Sequence, residues 1–245
     1  MRPPETFFRH PLARGAFFVA MALGTLAMAI ASWPYFFGED LHAFILEKLP
    51  VPHEDLYLTS LHVHVATALF ALPACTLLLS RGLLRRAPRV HRHLGRVTGV
   101  VLLFATIPSG LHLALFAKGG LVVTVGFVLS AAIAVVALVH GVVTARRGDL
   151  VAHRRDMLHV TAQLSVAVTS RAMLVAFDAL SVDPAFAYVA ALYFPVIASA
   201  LVVEAIAPRS RAPRAERLAH APVVVPLALA PRPLDAALRR SVARG

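Results

Sequence analysis

Along this chain, apolar residues run in long blocks instead of alternating with polar ones at the period of an amphipathic helix or a strand. Six blocks reach the roughly 20 mainly apolar residues that a helix needs to cross a bilayer. They are 16–37, 58–80, 97–117, 121–145, 157–178 and 184–207. The pattern predicts an all-α polytopic membrane protein with six transmembrane helices, the middle four forming a central bundle. The polar gaps alternate in charge. The leader carries Arg2, Arg9 and Arg14 against Glu5, whereas the gap 38–57 carries Glu39, Asp40, Glu47, Glu54 and Asp55 against Lys48. Arg81, Arg85, Arg86, Arg89, Arg92 and Arg96 then follow with no acid among them. After a gap holding only Lys118, Arg146, Arg147, Arg154 and Arg155 outweigh Asp149 and Asp156. Basic segments stay on the cytoplasmic side. The alternation therefore predicts both termini inside, and an even number of crossings agrees.

Punctuation divides the chain further. Residues 1–15 read as a cytoplasmic leader, 16–207 as the membrane domain, and 208–245 as a disordered tail rich in Pro and Arg. Ala117-Lys118-Gly119-Gly120 is a turn so short that its flanking helices must be antiparallel neighbours. Pro108 should kink the third helix, with Ser109 beside it to satisfy freed backbone groups. Arginines before the first block, with Ala27-Met28-Ala29 inside it, imitate a signal peptide. The block nevertheless runs on through Trp33, Tyr35, Phe36 and Phe37, which reads as an uncleaved helix ending in an interfacial aromatic belt.

Composition places the chain outside the soluble range in both directions, at 58% hydrophobic and 15% charged. The net charge of +11 does not signal nucleic acid, because the arginines are spread over helix ends where they suit anionic lipid head groups. The bilayer is the first expected partner, and a second copy or a membrane protein is the next. A lone Cys75 excludes a disulfide framework or thiolate cluster. These features together imply a multi-pass protein of a bacterial inner membrane.

Ionisable residues inside spans are costly and mark candidate sites. By depth they divide into an outer cluster of His62, His112 and Arg171, with Asp178 at the boundary, and an inner cluster of His91, His93 and His153, joined by His140 and His159. Histidines on facing helices can hold haem iron axially while an arginine meets a propionate, making haem b the candidate cofactor and His62 with His112 the expected pair. The same residues can instead line a polar proton or transport pathway. A packing histidine bonded to a neighbouring helix, or a lipid-anchoring arginine, is the plainer alternative. Arg171 demands a partner so far from either boundary, and Asp178 two turns on is the nearest acid of its own helix. On the fifth block His159, Gln163 and Ser170 share a polar face.

His91-Arg92-His93-Leu94-Gly95-Arg96, and Gly148-Asp149 followed by His153-Arg154-Arg155-Asp156-Met157 and Arg171, resemble the paired motifs of DUF2306, a family of bacterial membrane proteins. The resemblance covers about residues 58–178, leaving the first and sixth helices outside. It implies a membrane-embedded helical core in which His62, His91, Arg92, Gly95, Arg96, His153, Arg154, Met157 and Arg171 are the positions to watch. Asp156 stands where that family usually has an aromatic residue. Whether the chain is an enzyme, a haem-associated redox protein or a non-enzymatic transport or assembly protein stays open at this point.

Overall fold

The computed structural model describes residues 11–37 and 50–207. The expected tail, most of the leader and much of the acidic loop lie outside them. Every regular element among the described residues is helical. In chain order they are α1 (Pro11–Ser32), α2 (Pro34–Phe37), α3 (Glu54–Leu78), α4 (Arg81–Arg86), α5 (Pro88–Val101), a π-turn (Leu102–Thr106), α6 (Ile107–Ala114), α7 (Gly120–Arg146), α8 (Leu150–Ala179) and α9 (Pro184–Ile206). Six of the resulting helical segments are long and apolar enough to cross a membrane, as the six blocks predict.

Two helices start well before their apolar blocks. The third span begins at Pro88 rather than near 97, and the fifth at Leu150 rather than near 157. Local start signals explain both. Pro88 occupies the first turn of α5, where its missing N–H is no loss. Asp149 caps α8 by accepting from the Ala152 amide at 3.0 Å. Before it, Gly148 adopts φ 78 and ends α7. Thirty residues give α8 a length of about 45 Å, more than the roughly 30 Å of hydrocarbon. Both histidine-arginine motifs therefore sit on helical extensions at one end of the bundle, the arginine-rich end.

The break at Pro108 takes the form of the π-turn, which widens the helix just ahead of the ring. Ser109 Oγ donates to the Ala105 carbonyl at 2.5 Å, the hydroxyl compensation expected there. The turn at 117–120 holds Gly119 at φ 95 and sets α6 and α7 antiparallel.

Packing closes α3, the α5–α6 span, α7 and α8 into a ring, each touching the next and α8 touching α3. This is the predicted central bundle. Its centre is apolar, built from Ala71, Cys75, Leu102, Ala137, Leu138 and Val160. Outside the ring, α9 lies against α8 and α7, and α1 against α3 and α8. Phe104, Leu121, Val175 and Phe194 project outward and exposed, which suits lipid contact. Close approach of α7 to α8 depends on Gly141, where a Cβ would overlap Met157 Cε and come within 3.0 Å of Asp156 Cβ.

Candidate functional site

The polar side chains concentrate where α7, α8 and α9 meet. Arg155, His159 and Gln163 follow one another at intervals of four along α8, so each stands one turn above the last. Arg155 and His159 both reach Glu204 on α9. Arg155 Nη2 donates to both carboxylate oxygens, and His159 Nε2 lies 3.0 Å from Oε1. One turn deeper, Gln163 ties all three helices. Its Oε1 accepts from Ser130 Oγ on α7 at 2.9 Å, while Nε2 donates to the Val196 carbonyl at 3.2 Å and to Ser199 Oγ at 3.3 Å on α9. Every hydrogen-bonding atom of that buried amide is engaged except one acceptor lone pair.

The His159 ring differs in kind. A carboxylate can only accept, so Nε2 carries the proton it shares with Glu204. Nδ1 is buried and has no partner. Its side chain is only 13% exposed, against 40% for Glu204. Exposure therefore falls from Glu204 inward to the His159 ring, and Gln163 stands one turn further along α8. Beyond Gln163 the junction turns apolar, with Val123, Val166, Leu192 and Val196 closing together. The polar groups line one half of the junction and stop at this plug.

A second dyad lies beside the first, between α7 and α8. Asp156 Oδ2 accepts from His140 Nδ1 at 2.9 Å and from Thr144 Oγ1 at 3.3 Å. His153 Nδ1 donates to the Gly141 carbonyl at 2.8 Å, since a carbonyl can only accept. On α5, the His91 Nδ1 is buried without a partner. His91 is thus turned inward. His93 is not: on a helix, residues two apart face different ways, and His93 is exposed. The early start of α5 puts both residues on the helix and so on different faces.

The far end holds His62, His112 and Arg171, but on different partners. His62 Nε2 donates to the Tyr35 carbonyl at 2.7 Å, with the Phe36 ring 5.4 Å away. His112 Nδ1 pairs with Ser60 Oγ at 2.8 Å. Ser60 and His62 are two apart on α3, so the two rings engage different faces of that helix. Arg171 forms no ion pair with Asp178 among the described residues. Its Nη1 donates to the Ala167 carbonyl at 2.8 Å. Helical side chains lean toward the N-terminus, so this guanidinium leans one turn deeper and away from Asp178, about 10.5 Å along the axis. His64 donates Nδ1–H to the Thr106 carbonyl, at 2.9 Å, within the π-turn.

Sequence reasoning overlooked Glu204 as a partner, along with Arg155, Ser130, Ser199 and His64. The interval of four from Arg155 to Gln163 was the available signal. Glu204 lies 45 residues from His159, and only the packing of α9 on α8 joins them. No group of three or more metal-ligating side chains occurs among the described residues.

The model of a family described as a predicted membrane protein, DUF2306, matches residues 61–207. The match takes in α9, correcting the narrower limits of 58–178, and so includes Glu204. No curated protein and no solved structure matches the chain.

Proposed function

The chain belongs to the DUF2306 family of predicted membrane proteins, and we propose that it is a non-enzymatic transport protein that carries protons along the α7–α8–α9 junction. The observation that supports this most is His159, with Nε2 on a carboxylate and Nδ1 buried and open. Imidazole can bind a proton at one nitrogen and release another from the second. A proton reaching Nδ1 from the Gln163 side makes an imidazolium held by Glu204. The Nε2 proton then passes to the carboxylate, and from there to water at the more exposed end. The ring returns to its starting tautomer by rotation or by the reverse exchange. Arg155 positions the carboxylate for this step by donating to both its oxygens. The plug of Val123, Val166, Leu192 and Val196 closes the path toward the far end, so movement across the whole bilayer requires that layer to open. On the charge pattern, the open side is the cytoplasm.

The test is proton uptake into liposomes containing the purified protein, followed with an entrapped pH dye under an imposed gradient. Uptake above that of protein-free liposomes, lost in Glu204→Gln, supports the reading. Uptake equal to empty liposomes removes it.

A redox reading rests on separate observations at the arginine-rich end, the buried open Nδ1 of His91 and the His153 ring, whose Nδ1 is anchored on a backbone carbonyl. Anchoring of this kind orients metal-bound histidines. Under this reading His91 and His153, in place of His62 and His112, would hold the iron of haem b, which would supply electron transfer. An absorbance spectrum of protein purified after expression with haem supplied decides it: a Soret band lost in His153→Ala supports it, and no Soret band removes it.

A further inference from the structure

At the arginine-rich end, a cavity of about 420 Å³ opens between α1, the junction of α3 with α4, and α8. Four arginines line it: Arg14 from α1, Arg81 and Arg86 from α4, and Arg154 from α8. Among the described residues no acid does. Arg14, Arg81 and Arg86 make no hydrogen bond or ion pair with any described residue, so their charge in the cavity is not neutralised from within it. Ser80 adds a hydroxyl. The remaining wall is apolar, with Phe18, Leu77 and Leu158 turned to the same space. Leu77 belongs to the last turn of α3, so this wall marks the level where an apolar span gives way to basic residues. The arginines come from three helices far apart in sequence, and folding alone brings them to one cavity.

Guanidinium groups recognise phosphate through paired N–H donors. A soluble phosphate would find the charge here but would leave the apolar wall uncovered. An amphiphile covers both. We propose that the cavity is a binding site for one anionic phospholipid, its phosphate held by Arg14, Arg81, Arg86 and Arg154 and an acyl chain laid along Phe18, Leu77 and Leu158. The site goes beyond the transport reading and stands without it.

The test is native mass spectrometry of the full chain in a neutral detergent, titrated separately with phosphatidylglycerol, phosphatidylcholine and inorganic phosphate. The site predicts one retained phosphatidylglycerol per chain, no comparable phosphatidylcholine adduct and weaker binding of phosphate. Removing two arginines at the membrane surface with Arg81→Ala/Arg86→Ala lowers phosphatidylglycerol affinity about 30-fold. Arg85→Ala/Arg89→Ala removes two exposed arginines outside the cavity and leaves affinity unchanged. All three residual melting temperatures, measured without lipid, should agree. Equal loss in both double variants, or equal retention of phosphatidylcholine, overturns the site. Phosphate binding as tight as phosphatidylglycerol overturns the lipid assignment.

Discussion

At the scale of single residues, the polar groups of the junction are arranged by what each can no longer do elsewhere. Gln163 is buried and spends its amide on α7 and α9 together, so it fixes the mutual position of three helices. Replacement by leucine keeps the approximate volume but leaves the Ser130 and Ser199 hydroxyls without that partner. Hydrogen bonds between membrane helices are worth about 0.6–2 kcal/mol. Gln163→Leu should therefore lower the melting temperature in detergent by several degrees. An unchanged melting curve would show that the amide holds nothing. Gly141 makes a steric claim instead. Any side chain there meets Met157 and Asp156. Gly141→Leu should cost about 1–3 kcal/mol, read as a lower melting temperature in the same detergent. The Asp156 dyad makes a third claim, about helix pairing. An aromatic residue at 156 would lose the bonds to His140 and Thr144, and here those bonds link α7 to α8.

At the scale of elements, apolar blocks located the six spans because a bilayer imposes length and composition on whatever crosses it. The blocks did not locate the helix ends. Hydropathy falls at the membrane boundary, whereas a helix stops where its caps and turns dictate. Pro88 and Asp149 were the signals, and they carry α5 and α8 several residues past the apolar limit. That shift puts His91 and His93 on different faces of α5, with the His91 Nδ1 buried. Asp149→Ala removes the α8 cap and should cost about 0.5–2 kcal/mol. The expected readout is faster amide exchange over 150–155 with little change near Gln163. Equal exchange in both proteins would show that the cap does not set the start of α8. Pro108 announced a break in the third span, but not the π-turn that accommodates it. Which carbonyls a turn exposes depends on packing against α3, where His64 takes up Thr106.

At the scale of the whole molecule, a ring of four helices with an apolar centre supports two polar regions that do not connect through that centre. Polar depth was legible in the sequence: the spans held more histidine and arginine than lipid tolerates, and charge alternation sorted them by level. Partnership was not legible. His159 and Glu204, or His112 and Ser60, are joined by tertiary packing between helices, and no periodicity within one helix encodes it. The central proposal is that His159 passes protons between the Gln163 layer and Glu204. Its most direct test is proton uptake in liposomes carrying wild-type protein and His159→Gln at equal loading. Glutamine keeps a donor for Glu204 but cannot carry a proton onward. The account predicts uptake by the wild type at least tenfold above the variant, with both proteins melting at similar temperatures. Equal uptake by the two would contradict it.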